Sequence, residues 1–416
     1  MEDPRIEKTI VDNIVKEVGR EQDSLINEMK STGFLNKLVN SLSSTIHGST
    51  KKYALDSARL IISSHSPKIT VVDLETKMVR TVRGQEAHVL TGLPSTGKSS
   101  WFSIIKSQGL NVIETQVASQ GGLLGTPLDQ GLTEFLKNSV WLLPEAEGLL
   151  SNPTIVWILR SLVEEQEVGK ATAYVVSRTR TLKISSSVCM NLVSIPQTAK
   201  EYQLLSRFYR VNFEYKNWEE VFEVGEKLVG NLMVNVEEQS SFQPEPRHYF
   251  GLIAERILSL GLNDNKFFCY LPDNLKKEVY NTWKNLVLNY YSNNVPKGIA
   301  LRDLVEGFRA SQNYGLLNFF QRNLVKKGSV NLLELTEEDM NHGLQFMESV
   351  IKVRSEYDVE QMKETKSSHR IPPKTIVEIY KLKQSNPKLS SREIGKTIGV
   401  SHTLVSRILK EVGLSD

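Results

Sequence analysis

The sequence is poor in the residues that build disulfide frameworks and metal centres. It contains two cysteines and seven histidines among 416 residues. Cys189 and Cys269 both stand among apolar neighbours, and the histidines are scattered without the Cys/His spacing of a zinc site. We therefore expect two buried free thiols, which excludes a disulfide-stapled secreted domain and a structural zinc module.

Long hydrophobic runs are also missing. No apolar segment approaches the roughly 20 residues that span a bilayer. The first residues, MEDPRIEKTIVDNIVKEVG, lack the apolar core of a signal peptide. The pattern predicts no membrane association and a cytoplasmic protein. A chain that is 40% hydrophobic and 24% charged has the composition of a globular protein. Its length allows two or three domains of about 100–200 residues each.

No single sign of charge dominates, because the net charge is +3. The charge is nevertheless uneven along the chain. Residues 366–416 contain ten Lys/Arg and four Asp/Glu, a net of +6, so the remainder carries about −3. A basic tail on a near-neutral body favours nucleic acid as a partner, although a charged face is more often only solvated.

The hydrophobic periodicity divides the chain into five parts. Residues 1–65 have apolar positions at helical spacing. Residues 66–216 alternate strand-like and helix-like segments, which predicts an α/β domain with a mostly parallel sheet flanked by helices. Residues 217–355 are expected to be helical, without strands. Residues 356–373 are polar and interrupted by proline, which indicates a linker, and residues 374–416 form a further helical domain.

The strongest motif is TGLPSTGKSS at residues 91–100, which fits the phosphate-loop pattern G-x-x-x-x-G-K-[ST] between a strand-like and a helical segment. Glycines let backbone N–H groups wrap a phosphate, and the following helix directs its positive end at the anion. Lys98 is expected to reach the β and γ phosphates of ATP, and Ser99 to ligate Mg²⁺. The alternative is an ordinary glycine-rich turn. The predicted nucleotide-binding residues are Gly92, Pro94, Ser95, Thr96, Gly97, Lys98, Ser99 and Ser100.

A second strand that ends in acids should lie beside the first in such an ATPase, and VWLLPEAE at residues 140–147 has that form. Pro144 stands where an aspartate is usual, and it has no carboxylate. Glu145 is the predicted water-orienting and metal-binding carboxylate. Two outcomes stay open: either Glu145 or Glu147 serves the metal and hydrolysis is kept, or ATP is bound and turned over slowly. The plain alternative is a core strand followed by exposed glutamates.

Residues 374–414 predict three helices. The turn at Asn386-Pro387 ends the first, Ser390 or Ser391 caps the second, and Gly399 makes the turn before the third. This is a helix-turn-helix pattern, similar to those of resolvases and regulators, whose third helix would enter the DNA major groove. A protein-docking module is the alternative. The predicted base-reading and phosphate-contacting residues are Arg392, Lys396, Ser401, His402, Thr403, Ser406, Arg407 and Lys410.

Several short segments over residues 80–350 together resemble the ATPase core of minichromosome maintenance (MCM) helicases, which belong to the AAA+ superfamily. Ser206-Arg207-Phe208 before a strand looks like their arginine-finger motif. The segment VPKGIALRDLVEGFRASQNYG, with Arg302 and Arg309, resembles their lid helix, and LTEEDMNHGLQFMESV resembles the last helix of the lid. The resemblance implies a three-layer P-loop (AAA+) domain, an all-α lid and assembly into a hexameric ring.

The same resemblance implies further catalytic residues. Arg207 would reach the γ-phosphate bound by a neighbouring subunit, with Arg210 as the competing choice and a surface salt bridge as the plain alternative. Arg302 would contact the nucleotide from the lid, unless it lies on a solvated helix face. A polar sensor is expected at the end of the strand VCMNLVSIP, where Ser194 is the selected candidate and Asn191 the alternative.

Taken together, the motifs predict an ATP-dependent DNA motor. We expect a ring-forming helicase or translocase in the replication of a viral or mobile-element-like genome, with DNA, copies of itself and other replication proteins as partners. One alternative is a DNA-binding initiator or regulator that uses ATP as an assembly switch, which the missing aspartate favours. Another is an ATP-driven remodeller of protein partners that uses the basic tail as an adaptor.

Overall fold

The fold was obtained as a computed structural model. It describes residues 5–45, 51–72, 79–92, 96–116, 136–163, 170–175, 178–192, 207–213, 218–231, 244–291, 297–368, 373–386 and 389–411. Internal contacts divide the chain into two compact units, residues 1–351 and 352–416.

The first unit begins with four helices, as the periodicity predicts. They are α1 (Arg5–Val18), α2 (Gln22–Met29), α3 (Phe34–Thr45) and α4 (Lys51–Ser63). Their apolar stripes are buried in one continuous core that also takes in residues of the sheet described below. Next, β1 (Ile69–Val72) and β2 (Val79–Val82) pair in antiparallel orientation.

A region of mixed strands and helices follows. In chain order they are β3 (Ala87–Thr91), α5 (Lys98–Gln108), β4 (Val112–Glu114), β5 (Lys137–Leu143), α6 (Ala146–Leu150), α7 (Pro153–Val163), β6 (Lys170–Val175), β7 (Arg178–Lys183), β8 (Ser185–Asn191) and β9 (Tyr209–Asn212). Five of these strands form a parallel sheet in the order β4-β5-β8-β3-β9. The predicted parallel α/β domain is therefore confirmed. The hairpin of β6 and β7 was not foreseen.

The sheet is covered on both faces, because its buried strands alternate their side chains between two cores. In β5, Val140 and Leu142 join the core with α5 and the N-terminal helices. Trp141 and Leu143 join a second core with α6 and α7. Trp141 is fully buried. The result is a three-layer α/β arrangement, in which strand runs as apolar as VWLL are stable because neither face meets water.

The part of the first unit after the sheet is only partly as predicted. It contains α8 (Trp218–Asn231), α9 (Pro246–Ser259), α10 (Asp273–Tyr290), α11 (Lys297–Leu317) and the start of α12 (Glu337–Ser368). It also contains β10 (Phe267–Tyr270), β11 (Leu324–Lys327) and β12 (Val330–Glu334), which form a three-stranded mixed sheet. The expectation that residues 217–355 hold no strands is therefore wrong. These strands are four or five residues long, too short to show a distinct periodicity.

The C-terminal unit contains three helices in the predicted positions: α13 (Pro373–Ser385), α14 (Ser391–Ile398) and α15 (His402–Glu411). Ile379, Ile394, Val405 and Leu409 form their shared core. Ahead of them, α12 continues as a helix to Ser368, through most of the predicted linker.

Neither cysteine is in a disulfide; Cys189 is buried, and Cys269 is partly buried. Burial raises the pKa of both thiols. None of the described helices has the length and apolar content that crossing a bilayer requires.

Candidate functional site

The phosphate-loop segment joins β3, which lies between β8 and β9 in the parallel sheet, to the start of α5. Gly92 follows β3 with a φ of 135°, and Gly97 precedes α5 with a φ of 94°. Both values lie in the region that side chains with a Cβ rarely adopt. A Cβ on Gly92 would stand 2.2 Å from the carbonyl oxygen of Phe213. Two features therefore require glycine at position 92: its positive φ and the main chain of Phe213, which leaves no space for a Cβ.

Lys98 is the first residue of α5, and its side chain turns back toward the loop. The ammonium group donates a hydrogen bond to the carbonyl oxygen of Gly92, and the residue is buried. Burial lowers the pKa of Lys98, while the carboxylate of Glu147 acts in the opposite direction. Ser99 is exposed and Ser100 half-buried beside it. Pro94 and Ser95 lie outside the described residues.

The sequence suggested that the acidic strand β5 lies directly beside the phosphate-loop strand β3, and the structure differs from this expectation. β8 lies between β3 and β5 and pairs with both. The carboxyl ends of β3, β5 and β8 still meet at one edge of the sheet, because all three are parallel. Glu145 and Glu147 are both exposed at the start of α6, directly after β5.

The insertion of β8 brings Asn191 against Pro144. The side-chain amide of Asn191 donates a 2.9 Å hydrogen bond to the main-chain carbonyl of Pro144. The other polar atom of this side chain, Oδ1, is buried and accepts no hydrogen bond within the described part of the chain. Buried polar atoms in folded proteins are nearly always hydrogen-bonded, so such an oxygen suits a donor from water or a ligand. Asn191 therefore presents a buried acceptor close to the carboxyl end of β5, whereas Ser194 lies outside the described residues.

On the other side of β3, polar groups gather around Thr91, which directly precedes Gly92. Arg210 donates from Nε to the Thr91 hydroxyl oxygen at 3.1 Å, and the Thr91 hydroxyl donates to Asn212 at 3.3 Å. Arg210 is therefore hydrogen-bonded next to the phosphate loop of its own chain. Arg207 is half-buried just before β9. The sequence analysis did not select Thr91 or Asn212 as site residues. Only their position at the carboxyl ends of parallel strands could have marked them as candidates.

The predicted lid arginines separate into different environments. Arg302 is half-buried near the start of α11. Arg309 is 1% exposed, donates to the carbonyl oxygen of Arg83 at 3.1 Å and pairs with Glu306. It therefore fastens α11 to the segment before β3. Arg302 is the only one of the two that solvent reaches.

Six of the eight residues predicted to contact DNA are exposed in the C-terminal unit. Ser390 caps α14 by accepting a hydrogen bond from the N–H of Glu393, whose carboxylate accepts from the N–H of Ser390 at 2.8 Å. The Ser401 hydroxyl accepts from the N–H of Leu404 at the start of α15. The side chains of Arg407 and Lys410 lie outside the described part. The exposed candidates are Arg392, Lys396, Ser401, His402, Thr403 and Ser406.

Comparison with known proteins adds no family: no family model matches the chain, and no curated protein is significantly similar to it.

Proposed function

We propose that this chain is an ATP-hydrolysing, DNA-binding motor, a ring-forming AAA+-type helicase or translocase that acts in DNA replication. The observation that carries the proposal is the phosphate-loop segment. Two glycines with positive φ frame the loop, and the Lys98 ammonium group donates to the carbonyl oxygen of Gly92 at the carboxyl end of β3. Such a loop and helix start suit the phosphates of a nucleotide.

The residues at this edge fit a nucleoside triphosphate. Lys98 would bind the terminal phosphates. The Oδ1 of Asn191, which has no hydrogen-bond partner among the described residues, would accept from a water or protonated group beside them. Mg²⁺ would be held by the Ser99 hydroxyl with Glu145 or Glu147, and it would neutralise charge on the phosphates. Pro144 offers only its carbonyl oxygen, which already accepts from Asn191.

The two glutamates are assigned different roles. Glu145 directly follows the strand end and is the candidate for orienting the attacking water. Glu147 influences the pKa of Lys98, so its charge acts on phosphate binding. We expect Glu145→Gln to bind ATP normally and to lower turnover by about 10²-fold or more. Glu147→Gln should mainly change ATP affinity. ATP binding and single-turnover hydrolysis measured side by side test the assignment, and equal turnover in wild type and Glu145→Gln would refute it.

A ring is proposed because Arg207 would act on a neighbour's nucleotide, whereas Arg210 is engaged beside its own loop. Lys98→Ala should abolish turnover by removing the phosphate-binding cation, and Arg207→Ala should abolish it by removing the finger. Subunits that carry only one defect complement each other in a mixed ring, so mixing the two variants should restore part of the activity. If mixing restores nothing, the in-trans role of Arg207 is refuted.

DNA binding is assigned to the C-terminal helices because their exposed polar and basic residues lie on α14 and the start of α15. Deletion of residues 370–416 should lower DNA affinity. Lys396→Gln should reduce the slope of log affinity against log salt by about one phosphate contact. Lys381→Gln on α13 is the matched control. DNA affinity that survives the deletion would favour a protein remodeller.

A second candidate function is an ATP-switched initiator without unwinding activity. It is favoured by Pro144, because the position that usually carries the aspartate offers no carboxylate to the metal. A strand-displacement assay with ATP and with a non-hydrolysable analogue separates the two. Unwinding only with ATP supports the motor. Absence of unwinding, with DNA protection that depends on either nucleotide, supports the switch.

A further inference from the structure

A cavity of about 280 Å³ lies at the end of the parallel sheet opposite the phosphate loop. Lys137 and Asn138 begin β5, Ser185 begins β8, and Gln85 stands just before β3; all four line the cavity. Because the strands are parallel, these amino ends lie at one edge and the phosphate loop at the other. The cavity is therefore separate from the site proposed for ATP.

The charge in this cavity is of one sign. Lys68 and Lys137 line it, both half-buried, and its described lining contains no aspartate or glutamate. Neither lysine has an acidic partner within 4.0 Å in the described part of the chain. Two lysines that converge on one cavity without an acid attract an anion, and lysine is a common ligand of phosphate groups.

The polar wall between the lysines is built with unusual backbone geometry. Asn138 sits where the register of β5 shifts against β8, and its φ is 43°. Asn265, across the cavity, has a φ of 55°. Among the described residues, these two are the non-glycine residues with positive φ. Bulges and residues in sparsely populated backbone conformations concentrate at binding sites.

The amide groups of this wall are ordered and partly paired. Asn138 is 4% exposed, and its Nδ2 donates a 3.1 Å hydrogen bond to Oδ1 of Asn263. Gln85 is 5% exposed and donates to the carbonyl oxygen of Ser66 at 3.2 Å. Side chains held this way are oriented before a ligand arrives. Phe268 supplies an apolar side to the same cavity.

From this arrangement we propose a second ligand site, which takes a small organic phosphate. The phosphate group would lie between Lys68 and Lys137, and the hydroxyl groups of its carrier would meet the amides of Asn138 and Gln85. The volume is at the lower limit of ligand pockets, about 300 Å³. It therefore suits a single sugar phosphate rather than a nucleic acid strand.

The test uses ribose 5-phosphate as the probe and ribose as its uncharged counterpart. Calorimetric titration of the full chain is carried out with a non-hydrolysable ATP analogue present in excess, so that the phosphate loop is already filled. We expect ribose 5-phosphate to bind and ribose not to bind. Lys68→Gln and Lys137→Gln should each weaken binding by about tenfold, the size of a lost charge-assisted hydrogen bond.

Lys266→Gln is the matched control, because Lys266 is exposed on the neighbouring loop and does not line the cavity. It should leave the affinity unchanged. Lys98→Ala should also leave it unchanged, which separates this site from the phosphate loop. Binding that disappears in Lys98→Ala and persists in Lys68→Gln would overturn the proposal. So would the absence of any binding at about 10 mM ribose 5-phosphate, well above the weakest affinities of specific sites.

Discussion

The ion pair between Arg59 and Glu86 offers the most quantitative test of the fold around the phosphate-loop strand. Arg59 on α4 donates to both carboxylate oxygens of Glu86, at 3.1 and 2.8 Å. His88 contacts the same carboxylate at 2.6 Å, and Asn313 on α11 donates to it at 2.8 Å. Glu86 stands just before β3, so one carboxylate ties α4 and α11 to the strand that leads into the phosphate loop.

The burial and the charged neighbours of this pair determine how much stability the first unit should lose when Glu86 is changed. Burial alone would raise the pKa of Glu86, but the positive charge of Arg59 and the hydrogen bond from His88 hold it well below its usual range. The side chains are 6% and 3% exposed. Arg59 also pairs with the buried carboxylate of Asp56 at 3.1 Å, so the loss of Glu86 removes the charge-assisted hydrogen bonds to one of its two carboxylate partners, which costs about 1.5–3 kcal/mol. Glu86→Gln keeps the volume and removes the charge, so it should destabilise the first unit by about that amount.

Urea unfolding measures the effect through the fluorescence of Trp101 and Trp141, which are both fully buried in the first unit. The control is Asp273→Asn, which removes the exposed pair of Asp273 and Lys276. It should not shift the unfolding midpoint, because exposed ion pairs contribute little. A loss below about 1 kcal/mol for Glu86→Gln would contradict the cost assigned to the lost hydrogen bonds between Arg59 and Glu86.

Three further changes test the site and the two units. Gly92→Ala should weaken ATP binding by at least about tenfold, since its Cβ would meet the carbonyl oxygen of Phe213 and its φ is positive. His65 is buried, and burial lowers its pKa to about 4. In the unfolded chain, His65 takes up a proton below about pH 6.5. The free energy of unfolding should therefore fall by about 3 kcal/mol as the pH drops from 6.5 to 4. His65→Asn should remove this contribution to the pH dependence of stability. Ser390→Ala should destabilise the C-terminal unit by about 1 kcal/mol, because it removes the acceptor for the N–H of Glu393.

Each of these changes has a matched control. Gly148→Ala adds a methyl group where no atom lies within 4 Å, and ATP affinity should not change. His402→Asn changes an exposed histidine and should keep the pH dependence of stability. Ser406→Ala removes an exposed hydroxyl within α15 and should leave the melting temperature unchanged. Each variant is compared with its own control. If both change the measured quantity by the same amount, the steric, electrostatic or capping cause assigned to that residue is refuted.

Much of the molecule follows from local sequence. The pattern around Gly92 and Lys98 predicts the turn between β3 and α5, because only glycine adopts its backbone angles easily. The apolar run before Pro144 predicts β5. The three C-terminal helices follow from Ser390, Gly399 and the spacing of their apolar residues. These features depend on interactions between residues a few positions apart, which sequence periodicity records directly.

Only the tertiary structure decided which segments meet. It placed β8 between β3 and β5, which set Asn191 against Pro144. It also placed β9 on the other side of β3, so that Arg210 hydrogen-bonds to Thr91 beside its own phosphate loop. It also added the sheet of β10 to β12 and formed the cavity lined by Lys68 and Lys137. Strand order and cavities arise from pairing between residues distant in the chain. The apolar pattern of a short strand marks it as buried, but it does not specify the neighbour against which it is buried.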